Sequence, residues 1–290
     1  MESVIKIEKY NPTFHDYWNA FAASARTSHF FFQREYMEYH KDRFEDASLL
    51  FFDEKNRLLA LLPGTREEDV FISHGGLTFG GFQTNKKMTA SMMVALIDAT
   101  RKYLLEIGFR ELVYKCVPYI YATYPSEEDR YGLFFRGAKL YRRDVSSAVY
   151  LPEPYGYQKG RKWMVAKGRK SNLLLRESTD FDSFMNLENE VLLKYHGTTA
   201  VHTATELGLL AARFPQNIRL FTAEKAGDLL AGAVIFSTDS VAHVQYMANS
   251  DAGREQGALD FIIDHLLREV YADKHYFDFG ISNEQEGRYL

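Results

Sequence analysis

The sequence predicts an α+β protein made of two similar halves, each with a mixed, mainly antiparallel sheet flanked by helices. First, 46% of the 290 residues are apolar, which predicts a sizeable packed core. Second, the order of predicted strands and helices over residues 47–114 recurs over residues 217–279. Third, a strand in each copy leads through a glycine-containing turn into a helix. A repeat of this length indicates a duplicated domain, with chance similarity of two α+β halves as the alternative.

Composition restricts the class of protein. The net charge of −4 gives no general reason to expect DNA binding. The one cysteine, Cys116, excludes an intrachain disulfide and fits a reducing compartment. The N-terminal segment lacks the apolar stretch of a signal peptide, and the apolar runs are shorter than a membrane span. A cytoplasmic location is expected; peripheral contact with a membrane stays open, and the oligomeric state is unknown.

The first half, residues 1–152, is predicted to open with a strand over residues 4–7. Two helices follow, over residues 14–25 behind the N-cap Thr13 and over residues 33–44. Strands are predicted on both sides of a turn at residues 53–56 and again over residues 70–73. A long amphipathic helix over residues 88–107 ends at Gly108, and a strand over residues 111–117 follows.

The second half, residues 153–290, begins in PEPYGYQKG (152–160), whose prolines and glycines mark a linker. A basic stretch (159–170), two helices (181–195 and 204–213) and two strands (218–223 and 229–237) are predicted next. An apolar strand over residues 241–248 then enters a polar turn at 249–257, which opens one helix over residues 255–271 and leads to a strand over 275–280. Free N–H groups and the helix dipole make such a turn a candidate anion site, whereas a turn that merely starts a helix is the alternative.

This element order resembles the GNAT acyltransferase fold. Two such halves in tandem resemble the Fem-type ligases of peptidoglycan cross-bridges and the FemAB-like GNAT acetyltransferases of bacterial polysaccharide loci. The likeness is sharpest in LLALLPGTREEDVFISHGGLTFGGF, in KWMVAKGRKSN, and in NSDAGREQGALDFIIDHL with FDFGISNE. It implies two tandem GNAT-like (acyl-CoA N-acyltransferase) domains. Measured against that family, the chain stops before the last helix and strand pair, so the second domain is expected to be truncated at its C-terminus.

The resemblance also implies a cosubstrate site. In GNAT proteins the turn before the central helix has the pattern Arg/Gln-x-x-Gly-x-Gly/Ala, and its amides bind the pyrophosphate of acetyl-coenzyme A. Arg254 and Gly257 fit this pattern, whereas Leu259 replaces the final small residue. Acetyl-CoA or another acyl-CoA is therefore expected here, with no metal, and the preceding strand is expected to contact the pantetheine arm. The implied cofactor-binding residues are Tyr246, Met247, Ala248, Asn249, Arg254, Gln256, Gly257 and Ala258.

Three segments are candidates for binding the acceptor. HGGLTFGGF (74–82) occupies the equivalent turn of the first half, which generally helps to bind the acceptor in the tandem family; a loop that needs positive φ is the alternative. The basic stretch 159–170 suits phosphates or a tRNA backbone, or is a solvated helix face. YHGTTAVHTATEL (195–207) holds two histidines and also fits a capping box. The predicted substrate-binding residues are His74, Gly75, Gly76, Lys162, Arg169, Lys170, His196 and His202.

Acyl transfer to an amine requires a positioned amine, a proton acceptor and a donor to the oxyanion. Glu224, Asp278 and Glu284 are catalytic candidates that the sequence does not separate, and a strand N–H near Met247 is the candidate oxyanion donor. The sequence shows no supported metal-ligand spacing and no Ser-His-Asp order.

Three functions stay open. The first is transfer of an acetyl or other acyl group from acyl-CoA to an amine of a small-molecule or cell-wall precursor, such as a cell-envelope sugar or peptide. The second is an aminoacyl-tRNA-dependent peptidoglycan cross-bridge ligase, the only alternative in which tRNA is a partner; the lack of a predicted coiled-coil arm weighs against it. The third is a non-catalytic binding protein built on a degenerate GNAT pair.

Overall fold

The computed structural model describes residues 5–123 and 125–281, and the chain divides into two compact units, Met1–Arg142 and Arg143–Leu290. The boundary predicted between residues 152 and 153 falls inside the second of these units. The reason is a strand over Ser146–Tyr150, which pairs within the sheet of the second unit. The sequence predicts extended structure over residues 142–151 but does not show which sheet this stretch joins.

The first unit contains eight strands and four α-helices among its described residues. The strands are β1 (Lys6–Lys9), β2 (Glu45–Asp46), β3 (Leu49–Phe52), β4 (Leu58–Leu62), β5 (Thr65–Glu67), β6 (Val70–Ile72), β7 (Gln83–Thr84) and β8 (Glu111–Val113). The helices are α1 (His15–Ser24), α2 (Arg34–Met37), α3 (Ala90–Glu106) and α4 (Glu128–Phe135). Short 3₁₀ turns cover Pro12–Phe14, Phe30–Phe32 and Tyr119–Tyr121.

These strands form two four-stranded sheets, in the orders β1-β3-β4-β7 and β2-β5-β6-β8. β6 and β8 are parallel and are connected through α3, whereas the other paired strands of this unit are antiparallel. The core lies between the strands and α3, where Phe51, Phe71 and Leu96 are fully buried. Burial of these apolar side chains is the main force that holds the helix on the sheets.

The helix predicted over residues 33–44 is wrong in length, because α2 ends at Met37. The buried guanidinium of Arg34 has two acidic partners beyond this end. It donates to Glu38 Oε1 at 2.9 Å and to the carboxylate of Asp46. Because a buried charge needs a close partner, the chain turns back after α2 and brings Asp46 to Arg34.

The second unit contains strands β9 (Ser146–Tyr150), β10 (Leu174–Ser178), β11 (Ile218–Lys225), β12 (Asp228–Ser237), β13 (Val241–Asn249) and β14 (Tyr276–Ile281). Its α-helices are α5 (Lys159–Lys170), α6 (Phe181–His196), α7 (Ala204–Arg213), α8 (Asp251–Gln256) and α9 (Ala258–His265). A π-helical turn over Leu266–Val270 continues α9.

One six-stranded sheet, in the order β10-β11-β12-β13-β14-β9, organises the second unit. The strands β10 to β13 are antiparallel neighbours, and β13 and β14 are parallel. Helix α6 packs on one face, where Phe184 lies against Gly232 of β12. Helix α9 packs on the other face, where Ile262 meets Ala233 and Ile235. The order strand, two helices, meander, helix, parallel strand confirms the predicted α+β fold class.

The prediction of a single helix over residues 255–271 is also wrong. The helix breaks at Gly257, which has a φ of +72° and separates α8 from α9. Helix α5 crosses at this point: a Cβ on Gly257 would lie 2.3 Å from the carbonyl oxygen of Met164, and a Cβ on Gly168 would lie 2.6 Å from that of Gly257. Close packing of two backbones and a left-handed φ both require glycine here.

On the side away from β13, β14 pairs with β9 in antiparallel orientation, with Tyr276 opposite Tyr150 and Phe277 opposite Val149. The strand that covers this side of β14 therefore precedes the rest of the second unit in sequence. The predicted C-terminal truncation concerns residues beyond 281, which lie outside the described residues.

Candidate functional site

The main feature of the second unit is a fork between β13 and β14. These parallel strands are paired over three positions, the last of which joins His243 to Asp278. Beyond this pair β13 continues to Asn249 and stays paired with β12. Among the described residues, no strand therefore pairs with the β14-facing side of β13 over residues 244–249. Backbone groups on such an edge are available to an extended ligand.

A β-bulge lies at the closed end of the fork. Val244 of β13 is opposite Ile235 of β12 and Tyr246 is opposite Val234, so Gln245 has no counterpart. A bulge adds one residue to a strand, bends it and increases its twist. Because this bulge directly follows the last pair with β14, it provides a local cause for the separation of the two strands.

The bulge also changes which side chains share a face. His243 is opposite Phe236 and Tyr246 is opposite Val234. Residues 234 and 236 lie on the same face of β12, so His243 and Tyr246 lie together as well. Gly232 is on this face and contacts Phe184 of α6, which identifies it as the α6 side of the sheet.

The partly buried His243 and the buried Asp278 form a pair at the closed end of the fork. The Nδ1 of His243 lies 2.9 Å from Oδ2 of Asp278. The Oδ1 of Asp278 accepts from the Ser146 hydroxyl and, at 3.0 Å, from the Gly280 N–H. Burial acts to raise the pKa of Asp278, but the hydrogen bonds from His243, Ser146 and Gly280 and the charge of His243 outweigh it and lower the pKa to about 2.

This pairing defines the tautomer of His243. An ionised Asp278 is an acceptor only, so Nδ1 of His243 must carry the hydrogen of the shared bond. In the neutral imidazole the lone pair is then on Nε2. No hydrogen bond joins Nε2 to another described residue, and the side chain is 17% exposed. His243 is therefore arranged to accept a proton from a group in the fork.

Glu188, His202 and Tyr246 form a second polar group on the same face. The Tyr246 hydroxyl lies 2.7 Å from Nδ1 of His202 and accepts from the His202 N–H at 3.2 Å. Glu188 extends from α6; it is 5% exposed, and its Oε2 has no hydrogen-bond partner among the described residues. Burial raises the pKa of Glu188 to about 7, and its charge also acts to raise the pKa of Tyr246. A carboxyl group in this state suits proton transfer or binding of a cation.

The predicted cofactor residues fall in two places. Tyr246, Met247, Ala248 and Asn249 all lie on the part of β13 that is paired with β12 on one side and, among the described residues, with no strand on the β14-facing side. In the turn, the Arg254 N–H donates to the Ser250 carbonyl at 2.8 Å and the Gly257 N–H to the Arg254 carbonyl at 3.4 Å, so both amides have partners inside the protein.

The side chains of this turn also have partners. Gln256 Oε1 accepts from Lys225 at 2.6 Å, and Ala258 is fully buried. Cofactor binding by residues 254–258 stays a prediction.

The structure distinguishes the three catalytic candidates. Asp278 lies at the fork. Glu224 lies on β11, where its Oε1 accepts from Arg176 Nη2 at 2.7 Å, and β12 and β13 separate it from β14. Glu284 lies outside the described residues. His243 and Glu188 were not among the candidates from sequence.

The HGG loop of the first unit is packed inside that unit. His74 is 3% exposed, and burial together with the nearby His40 lowers its pKa to about 3. A Cβ on Gly76 would lie 2.0 Å from the His40 ring, and one on Gly75 would lie 3.1 Å from Thr65 Oγ1. The Lys115 ammonium donates to carbonyl groups of the same loop, among them that of His74 at 3.0 Å. Close packing against these residues explains why glycine occupies positions 75 and 76. Binding of the acceptor by this loop stays a prediction.

The other predicted substrate residues are dispersed. His202 lies on the α6 side of the fork, whereas His196 is exposed at the end of α6. Lys162, Arg169 and Lys170 lie on α5, where the first two line a cleft and Lys170 is exposed outside it. In the described part of the chain, no group of three or more His, Cys, Asp or Glu side chains is placed to hold a metal ion. The described helices also include none with the length and apolar character to cross a membrane.

Known proteins share this fold. Residues 157–289 match the acetyltransferase (GNAT) domain family. The structure of FemX is similar over 98% of this chain and 91% of its own, at 10% identity and a TM-score of 0.67. L-PGS from Bacillus licheniformis is similar over 95% of this chain and 80% of its own, at 11% identity and a TM-score of 0.59. The comparison with curated proteins found no match.

A third solved structure is similar over 91% of this chain and 79% of its own, at 14% identity and a TM-score of 0.57. It is the C-terminal domain of a protein assigned as a lysylphosphatidylglycerol synthetase from Agrobacterium fabrum. At these identities the likenesses show the fold alone, and the family match concerns residues 157–289. Both agree with the predicted FemAB-like tandem-GNAT type.

Proposed function

We propose that this chain, a tandem-GNAT protein whose second half is a GNAT domain, transfers an acetyl or other acyl group from acyl-CoA to an amine of a cell-envelope sugar or peptide precursor. The GNAT acetyltransferase domain supports acyl transfer in general. One observation carries the proposal further: the fork between β13 and β14 closes on the His243–Asp278 pair. A free strand edge thus ends at a proton acceptor.

The donor is placed along β13. A pantetheine arm is extended and contains two amide groups, so it pairs with a free strand edge as another strand does. Residues 244–249 provide this edge, and the thioester then lies at the closed end near His243. A backbone N–H on the same edge donates to the oxyanion that forms on the thioester carbonyl.

The reaction moves one proton in net, from the acceptor amine to the leaving thiolate. The acceptor amine attacks the thioester carbon, so a C–N bond forms and the C–S bond breaks. The amine proton moves to His243 Nε2 and from there to the leaving thiolate. Asp278 stays ionised, holds the imidazole in its tautomer and stabilises the imidazolium. General-base catalysis of this kind contributes typically about 10²- to 10⁴-fold to the rate.

The acceptor amine is placed on the α6 side of the fork. Glu188, His202 and Tyr246 supply polar groups there, and the Oε2 of the buried Glu188, which has no hydrogen-bond partner among the described residues, is available to accept an N–H of the neutral amine. The cell-envelope class of acceptor is supported by the sequence resemblance. The similarity to FemX, and to a protein whose name includes the lipid lysylphosphatidylglycerol, agrees with this class.

An aminoacyl-tRNA is the second candidate donor, and one observation favours it. The amides of Arg254 and Gly257 are bonded inside the turn, and α5 packs on Gly257. This arrangement leaves fewer groups at the turn for a pyrophosphate. The aminoacyl group of this donor is held by an ester bond, and the fork and the His243–Asp278 pair would act on it as on a thioester, with His243 as the proton acceptor.

An experiment that compares the two acyl donors tests the proposal. Purified protein is incubated with acetyl-CoA or with aminoacyl-tRNA, each with a panel of nucleotide-linked amino sugars and peptidoglycan precursor peptides. Amine-dependent release of free CoA thiol supports the first donor, and amine acylation only from tRNA supports the second. No transfer from either donor, together with binding of an acceptor, supports the non-catalytic alternative.

A further inference from the structure

A cleft of about 510 Å³ lies beside α5, on the side of the sheet opposite to His243. It is lined by Tyr155, Gly156, Tyr157, Lys162, Val165, Arg169, Asp264 and Arg268, and is called the Asp264 cleft below. Three cations line it against one carboxylate. Its chemistry is therefore that of a receptor for anions.

Asp264 positions two of these cations. It is 2% exposed, and each of its oxygens is used. Oδ1 accepts from Arg268 Nε at 2.8 Å and from the Tyr157 hydroxyl at 3.0 Å, while Oδ2 accepts from Arg169 Nη2. One buried carboxylate thus fixes two guanidinium groups side by side.

Both guanidinium groups have N–H donors that Asp264 does not use. Arg169 and Arg268 are about half exposed, at 54% and 46% of their side chains. Each guanidinium has five N–H donors, and Asp264 occupies a minority of them. Two guanidiniums fixed in this way match the oxygens of a phosphate, which Arg binds through paired hydrogen bonds.

Lys162 adds a charge that none of the described residues neutralises. It lines the same cleft, is exposed, and has no acidic partner among the described residues. Arg161, the neighbour of Lys162 on α5, instead pairs with Asp260 at 2.9 Å. The Arg268 guanidinium also lies 5.5 Å and 5.4 Å from the ring centres of Tyr155 and Tyr157, so aromatic surface adjoins the cations.

We propose that the Asp264 cleft binds a phosphate-bearing ligand, with Arg169, Arg268 and Lys162 contacting the phosphate. The phosphate belongs either to a soluble molecule such as a nucleotide or to a phospholipid headgroup, since both present the same oxygens. The cleft and the fork lie on opposite faces of the sheet. The inference is therefore independent of the proposed acyl transfer, and the failure of one leaves the other standing.

Two variants on α5 form a matched pair for the test. Lys162→Met removes a charge inside the cleft, and Lys170→Met removes the same charge from an exposed lysine outside it. Neither lysine has an ion-pair partner among the described residues, so both variants are expected to fold. Binding of sodium pyrophosphate is measured by calorimetry at constant ionic strength, and binding to phosphatidylglycerol vesicles by co-sedimentation against phosphatidylcholine vesicles.

We expect Lys162→Met to weaken binding about tenfold and Lys170→Met to change it less than about twofold. Lys162-dependent binding of pyrophosphate identifies a soluble source, and Lys162-dependent binding of phosphatidylglycerol vesicles alone identifies a headgroup. The proposal is overturned if the wild-type protein binds neither probe. It is equally overturned if the two variants weaken binding to the same extent, because binding is then due to the general charge of α5.

Discussion

The Nδ1 of His243 lies 2.9 Å from Oδ2 of Asp278, across the last residue pair that joins β13 to β14. The strands separate directly after this pair. The position of the proton acceptor and the start of the free strand edge are thus set by the same pairing. This relationship connects the fold of the second unit to the proposed acyl transfer.

The first prediction concerns the imidazole. His243→Gln removes the proton acceptor but keeps a polar side chain, so kcat for acyl transfer is expected to fall about 100-fold or more while KM for the donor changes little. Steady-state kinetics measure both constants. His275→Gln, at an exposed histidine just before β14, is the control and should leave both unchanged. Equal activity of the His243→Gln variant and the wild type would exclude His243 as the base.

The second prediction concerns Asp278, whose pKa is lowered from 3.8 to about 2 in the folded state. A carboxyl group whose pKa is lower in the folded state stabilises the fold at pH values above its pKa in the unfolded state. This stabilisation is lost as the pH falls from about 4 to about 2. The shift corresponds to about 2 kcal/mol. In the Asp278→Asn variant, the unfolding free energy measured by urea denaturation should therefore fall less than in the wild type between about pH 4 and about pH 2. The exposed Asp273→Asn should leave this fall unchanged.

The same Asp278→Asn substitution should lower kcat, because a neutral amide no longer fixes the His243 tautomer. If the Asp278→Asn variant keeps the wild-type kcat and the wild-type fall in unfolding free energy at acid pH, the pair is neither catalytic nor stabilising.

The third prediction concerns Glu188, whose pKa is raised from 4.5 to about 7 by burial. A raised pKa means that the folded state holds the proton longer, so stability is greatest below about pH 4.5 and falls as the pH rises to about 7. Ionisation of this buried group costs about 3 kcal/mol. Glu188→Gln should remove this loss and make the protein more stable than wild type at about pH 8.

The matched control for Glu188 is Glu190→Gln, at an exposed position on the same helix, which should change stability little. Urea denaturation at about pH 5 and about pH 8, on either side of the raised pKa, measures both variants. If Glu188→Gln destabilises the protein equally at both pH values, the carboxyl group is not held neutral by burial.

The fourth prediction separates packing from ligand binding at Gly257. Gly257→Ala forces a φ of +72° on alanine and places its Cβ 2.3 Å from the Met164 carbonyl oxygen, so it should destabilise the fold by about 2 kcal/mol or more without any ligand. Gly208→Ala is the control, because a Cβ at this position in α7 meets no atom within 4 Å. It should raise stability by up to about 1 kcal/mol. Thermal unfolding of both variants compares them.

The sequence predicts the order of the elements because each depends on local patterns. The strand before residue 249, the helices on either side of residue 200 and the duplication follow from periodicity and turn residues. The pairing of His243 with Asp278 does not follow, because the residues are 35 positions apart and meet only through the register of two parallel strands. For the same reason the local pattern predicts a continuous helix through Gly257, where the break depends on helix α5.

Glu188 does have a signal in the sequence. It follows Phe184 by four residues and Met185 by three, so an acidic residue lies on the apolar face of a predicted helix. An acidic residue at such a position is seldom buried unless it is paired or functional. The missing hydrogen bond at Oε2 and the proximity to the fork become visible only with the fold.

Hydrogen–deuterium exchange at β13 tests the central claim most directly. Exchange is measured for a peptide that covers residues 244–249, with and without acetyl-CoA or aminoacyl-tRNA, and for a peptide from β11 as the internal control. If the donor pairs with the free edge of β13, exchange in residues 244–249 slows when the donor is present and exchange in β11 does not change. Unchanged exchange in residues 244–249, at a donor concentration that supports acyl transfer, would contradict the placement of the donor in the fork.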